Sequence, residues 1–196
     1  MDAAERKKFR ERANRARRGL LNEKKKYGYI NDGSGKRYRA GVYYLLSGDV
    51  EKALEFYSWF EQEFPDDIGE PISDLYCALA HYRAGNIEKA RIRLQSAMLK
   101  NIYMLPLLFN EPMEAQEIWH GSTWERPEYL FEVEEFLDEP TFEERKWMKK
   151  EFHSKGFEEL RTGYIETYKA LLDEQDIENR GKILEDWRQY AQRFFE

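Results

Sequence analysis

Apolar residues recur along this chain at helical spacing. Gly41, Tyr44 and Leu45 share one face of a predicted helix, and Leu75, Ala78, Leu79 and Tyr82 share one face of another. A Gly-Asp pair at 48–49 follows the first and a Gly-Asn pair at 85–86 follows the second. Glycine can take the left-handed conformation that closes a helix, and Asp49 or Asn86 can cap the next one. Further on, Pro127 suits the first position of a helix and Pro140 ends it, over "RPEYLFEVEEFLDEP". Thr141 and Glu144 have capping-box spacing and open a helix running through Phe152. Phe157, Leu160, Tyr164, Tyr168 and Leu171 trace another stripe. Ile183, Trp187, Tyr190 and Phe194 trace the last, after the break "DEQDIENRG". Residues 110–127 give no clear pattern. At the start of the chain Phe9, Ala13, Ala16 and Leu20 form a narrow apolar seam on a helix otherwise coated with Arg and Lys.

The two glycine-marked stretches are also alike. "GDVEKALEFY" (48–57) and "GNIEKARIRL" (85–94) share the turn glycine, a β-branched residue and Glu-Lys-Ala, at an offset of 37. Each follows a helical stretch, so the pattern is helix, turn, helix, repeated once. The region from about 36 to 102 resembles tetratricopeptide repeats. Gly41, Tyr44, Ala53, Tyr57 and Pro65 stand at that family's small, aromatic and closing positions. In the second unit Ala78, Ala90 and Ala97 fill the small positions and Leu94 stands where Tyr57 stood. The chain departs from the family with Arg37 and Asp74 in place of the opening Trp, His81 at a common aromatic position, and Ile102 in place of the closing Pro. The loop "PDDIGEP" lengthens the first unit by about three residues. Two repeats alone are marginal, so 111–196 is expected to add three to five helices that pack on them. The expected fold is all-α: a basic arm (1–26), a repeat pair (27–110) and a C-terminal helical extension (111–196).

Composition supports a polar-surfaced globular chain, with 41% hydrophobic and 36% charged residues over 196. The distribution of charge says more. Residues 1–26 hold eleven Lys/Arg against four acids, a net +7, whereas the whole chain carries −6 and the remainder therefore −13. The longest apolar run, "IYMLPLLF", is too short for a membrane span, and the charged start has no apolar stretch after it. A single cysteine, Cys77, excludes an intrachain disulfide, and the cytoplasm is the expected compartment.

Catalytic chemistry finds no foothold. "GSGKR" (33–37) evokes a phosphate-binding loop, but Arg37 stands where Ser or Thr would hold magnesium, and Ile30 occupies the place of the first glycine. The stretch reads instead as the lead into the first repeat helix, with Asp32 or Ser34 as its cap. His81, His120 and His153 lie on separate segments without a second ligand at helical spacing, so no metal site is expected. Cys77, among Leu75, Ala78 and Leu79, reads as a small core residue. No catalytic residue and no cofactor is expected.

Binding surfaces are the remaining candidates. The resemblance implies a concave face lined by the first helix of each repeat: Tyr38, Arg39, Val42 and Leu45, then Leu75, Tyr76, Leu79 and Tyr82, with Arg83 at the rim. Such a groove would take an amphipathic helix of another protein, unless the chain's own C-terminal helices fill it. The arm offers Arg6, Lys7, Lys8, Arg10, Arg12, Arg15, Arg17 and Arg18 to nucleic acid, anionic lipid or an acidic protein face, or else to the acidic remainder of the same chain. The leading expectation is a non-enzymatic adaptor that binds another protein. The alternative is a nucleic-acid- or other polyanion-associated factor that acts through the arm.

Overall fold

The computed structural model describes residues 1–195. Ten α-helices and one short 3₁₀ turn make up its regular structure, with no strand among the described residues. The fold is all-α, as expected. No helix among the described residues is long and apolar enough to cross a membrane. The chain divides into two compact units, Met1–Arg93 and Leu94–Glu196. The division falls within one helix and differs from the expected boundaries at 26 and 110.

The first unit holds α1 (Ala3–Tyr27), α2 (Lys36–Leu46), α3 (Val50–Glu63), α4 (Pro71–Arg83) and the start of α5 (Ile87–Lys100). Helix α1 is no detached arm. It opens with an Asp2–Glu5 capping box and closes on Gly28 in the left-handed conformation. It runs antiparallel to α2: Phe9 meets Tyr43 at 5.9 Å, the Tyr44 hydroxyl donates to Asn14 at 3.0 Å, and Glu23 reaches Lys36. Ala13, Ala16 and Leu20, three of the four seam residues, are buried. Of the two candidate caps in the glycine loop, Asp32 serves: its carboxylate accepts from the Lys36 and Arg37 amides at 2.9 and 2.7 Å, capping α2.

The turns after α2 and α4 close with matching hydrogen bonds. After α2 the Ser47, Gly48 and Asp49 amides donate to the Tyr43, Leu45 and Tyr44 carbonyls. After α4 the Ala84, Gly85 and Asn86 amides donate to Ala80, Tyr82 and His81, the same three bonds 37 residues on. Gly48 and Gly85 have φ of 83° and 78°, which an L side chain rarely adopts. Helices α2 and α3 press together where Gly41 has no side chain: a Cβ there would lie 2.5 Å from Cζ of Tyr57. Tyr38 against Phe60 and Tyr44 against Phe56 continue the antiparallel seam.

The second unit contains the rest of α5, then α6 (Met104–Leu108), the 3₁₀ turn Thr123–Glu125, α7 (Tyr129–Leu137), α8 (Phe142–Phe152), α9 (Lys155–Asp173) and α10 (Ile177–Gln192). Helix α7 starts two residues later than Pro127 suggested, because a turn donated by Leu130 to Pro127 precedes it. The Thr141–Glu144 capping box opens α8 as the sequence indicated. The irregular stretch between α6 and α7 is anchored at discrete points. Buried Asn101 donates to the Trp124 and Arg126 carbonyls at 2.7 and 3.1 Å, and the Trp119 amide donates to Tyr168. Arg145 donates to the carbonyls of Leu108, Leu137 and Pro140, which satisfies the exposed ends of α6 and α7. A run of ring contacts, Trp119–Tyr168–Tyr164–Trp187–Tyr190–Phe194, ties α9 to α10.

Candidate functional site

The cations of α1 divide into two sets by helical phase. Arg10, Arg17 and Lys24 recur every seven residues and form a ladder to α3, meeting Asp49 at 2.8 Å, Glu55 at 2.7 Å and Glu63 at 2.5 Å. Glu55 holds the Arg17 guanidinium above its ordinary pKa through that hydrogen bond, against the opposing effect of burial. Lys7, Arg18 and Lys25 form a second row, eleven and seven residues apart, and Lys8, Arg15 and Lys26 a third, seven and eleven apart. All six are exposed, and among the described residues none makes an ion pair. At about 1.5 Å per residue each of these two rows runs for roughly 27 Å. Arg6 and Arg12 are exposed as well, Arg12 with its guanidinium 5.4 Å from the Phe9 ring.

Beside the outer rows lies a cleft of about 480 Å³, lined by Arg15, Arg17, Arg18 and Lys52 against a single carboxylate, Glu11, with Asn14, Leu21 and Tyr44. With Arg17 committed to Glu55, the cleft keeps Arg15, Arg18 and Lys52 against Glu11, so its lining is net positive. Lys25 and Lys26 were legible as site residues by the seven-and-eleven spacing that links them to Arg18 and Arg15. Lys52 carried no such signal, because it comes from α3 and arrives only through packing.

The nine predicted groove residues are placed unevenly. Val42, Leu45, Leu75, Tyr76 and Leu79 are at most 1% exposed, and Tyr38 is 8% exposed. The Tyr38 hydroxyl bonds Asp67 at 2.9 Å, with the Arg37 guanidinium 4.8 Å from the Tyr38 ring. Arg39 pairs with Glu70 at 2.9 Å, and Arg83 donates to the Leu45 carbonyl. Only Arg39, Tyr82 and Arg83 offer surface to a partner.

No group of three or more His, Cys, Asp or Glu among the described residues is arranged to hold a metal ion. Cys77 is buried. His153 meets Glu111 at 2.9 Å beside Lys149. Burial would raise the Glu111 carboxyl, but the two basic neighbours outweigh it and hold it below the usual range. His81 is half-buried; burial first, then Lys89 and Arg93, keeps its imidazole below the ordinary value. A folded state that resists protonation binds fewer protons than the unfolded chain, so stability falls as pH drops through the unfolded value of about 6.5. His120, lowered by burial and by Arg126, acts in the same window. Melting temperature measured from about pH 7.5 to about 5.5 is therefore expected to fall less steeply in His81→Leu than in the parent. Equal slopes would remove His81 from the account.

No protein-family model matches the chain, and neither does any curated protein or solved structure.

Proposed function

We propose that this chain is a non-enzymatic interaction module, a pair of tetratricopeptide-like hairpins that docks an acidic protein partner on the outer basic face of α1. The observation that carries this is the division of the helix's cations. One row is committed to Asp49, Glu55 and Glu63, whereas Lys7, Lys8, Arg15, Arg18, Lys25 and Lys26 have no acidic partner among the described residues. A fixed helix is also a better docking element than a loose tail, because its side chains are displayed on backbone already ordered before binding. Burial of six of the nine groove residues moves the proposed contact from the groove to α1, with Arg39, Tyr82 and Arg83 as the groove's accessible remainder.

Nucleic acid is the second reading, favoured by the length of the two free rows and by the net positive cleft beside them. The test titrates the full chain with a labelled polyglutamate peptide, a single-stranded RNA and a DNA duplex across a salt series. The variant Lys7→Glu/Arg18→Glu/Lys25→Glu, which leaves the α3 ladder intact, is run in parallel. Polyglutamate binding that is lost in the variant supports the protein reading. Tighter nucleic-acid binding with a steep salt dependence, also lost in the variant, replaces it with the second. Binding that survives this triple substitution is retested with Lys8→Glu/Arg15→Glu/Lys26→Glu added, and binding that survives all six substitutions removes α1 from both readings.

A further inference from the structure

We infer that the cleft between α9 and α10 is a docking site for a basic peptide segment of a partner protein, seating an arginine side chain against Trp187 and Tyr190. The cleft has a volume of about 550 Å³ and lies wholly within the second unit. Its shape follows from a missing side chain. A Cβ on Gly163 would lie 2.8 Å from the Tyr190 ring and 3.3 Å from Trp187, so glycine lets α10 lay two aromatic rings close over α9. Those rings are stacked on each other with centroids 5.9 Å apart, and Tyr164 braces Trp187 edge-on from below.

Around the rings stand Glu158, Glu159, Glu166 and Asp186, and no Lys or Arg lines the cleft. Lys155 answers Glu159 from outside at 3.5 Å, and Arg161 lies near enough to Glu158 to feel its charge. Glu166 and Asp186 make no ion pair among the described residues. An aromatic floor under unanswered carboxylates attracts a cation by ring quadrupole and charge together. The same unit already seats guanidinium groups on rings, with Arg180 5.1 Å from Trp119 and Arg161 4.1 Å from Phe152. The chain's own Arg193 lies 4.4 Å from Tyr190, so an incoming arginine shares that ring with it and has Trp187 as its main seat. The flat ring pair suits a planar guanidinium better than a compact ammonium. The volume exceeds one side chain, which leaves room for flanking peptide. This site is independent of the α1 proposal and takes a partner of opposite charge.

The test measures fluorescence anisotropy of a short labelled peptide of alternating Arg and Gly against the full chain at low salt. Its counterparts carry Lys or Gln in place of Arg. Glu166→Gln/Asp186→Asn removes the unanswered charges at constant shape. Glu132→Gln/Glu135→Gln removes the same charge from exposed positions of α7 and controls for the general acidity of the chain. The expected result is binding of the Arg peptide, weaker binding of the Lys peptide and none of the Gln peptide. The cleft variant should lose about tenfold in affinity while the control stays within about twofold. Equal loss in both variants, or no loss in the cleft variant, overturns the assignment. So does absence of Arg-peptide binding, or displacement of the peptide by spermine at matching affinity, which would mark a small-cation site instead.

Discussion

Gly41→Ala should destabilise the protein although alanine is normally the better helix residue. In an open helix the change gains about 0.5–1 kcal/mol, because glycine loses more freedom on folding. Here the new methyl would sit 2.5 Å from the Tyr57 ring. That ring cannot swing away, since Tyr57 is 5% exposed and packs edge-on against Phe56, itself fully buried. Overpacking of this kind costs about 1–3 kcal/mol, which exceeds the helix gain. The second hairpin suggests the remedy, because at the positions 37 residues on it carries Ala78 and Leu94. Tyr57→Leu alone should cost about 1–3 kcal/mol by opening space. In that background Gly41→Ala should become neutral or stabilising, giving a coupling of about 1–3 kcal/mol in a urea-denaturation double-mutant cycle. An equal cost for Gly41→Ala in both backgrounds would show that the ring contact is not what fixes glycine there.

This pair also shows what the sequence could and could not disclose. Gly41 and Tyr57 were readable as a small and an aromatic position only through the resemblance to tetratricopeptide repeats; helical spacing within α2 or α3 alone does not pair them. The turn glycines were readable directly, since a positive φ is a local demand that leaves few residue choices. Caps were legible for the same reason: Asp32, Asp49 and the Thr141–Glu144 box act within five residues of themselves. Burial of the groove positions was not legible. Tyr76 and Leu79 show the same helical spacing whether their face meets water or another helix, and only the folded chain distinguishes the two. The cleft over Gly163 escaped for a related reason: its glycine and its rings sit on different helices, and periodicity within one helix says nothing about its neighbour. Charge counting found the basic segment but not its division into paired and free rows, which depends on where α3 comes to lie.

That division bears on what holds α1 in place. The Arg10–Asp49, Arg17–Glu55 and Lys24–Glu63 ladder is conspicuous, yet each pair has at least one side chain close to half exposed or more. Exposed pairs give about 0–1 kcal/mol each and are screened by salt. Leu20, by contrast, is fully buried in the seam with Ala13 and Ala16. Leu20→Ala should therefore cost about 2–5 kcal/mol, more than Arg10→Ala, Arg17→Ala or Lys24→Ala singly. The difference should persist in high salt, where the ladder weakens and the apolar seam does not. Because α1 packs along α2, loss at Leu20 should appear as a lower midpoint of the first unit's cooperative unfolding, with proteolysis of the 1–28 segment accelerated in parallel. If instead the ladder substitutions matched Leu20→Ala and their effect vanished in salt, α1 would be an electrostatically held arm. The outer cations would then belong to a mobile tail and lose the fixed geometry on which docking to an acidic face depends.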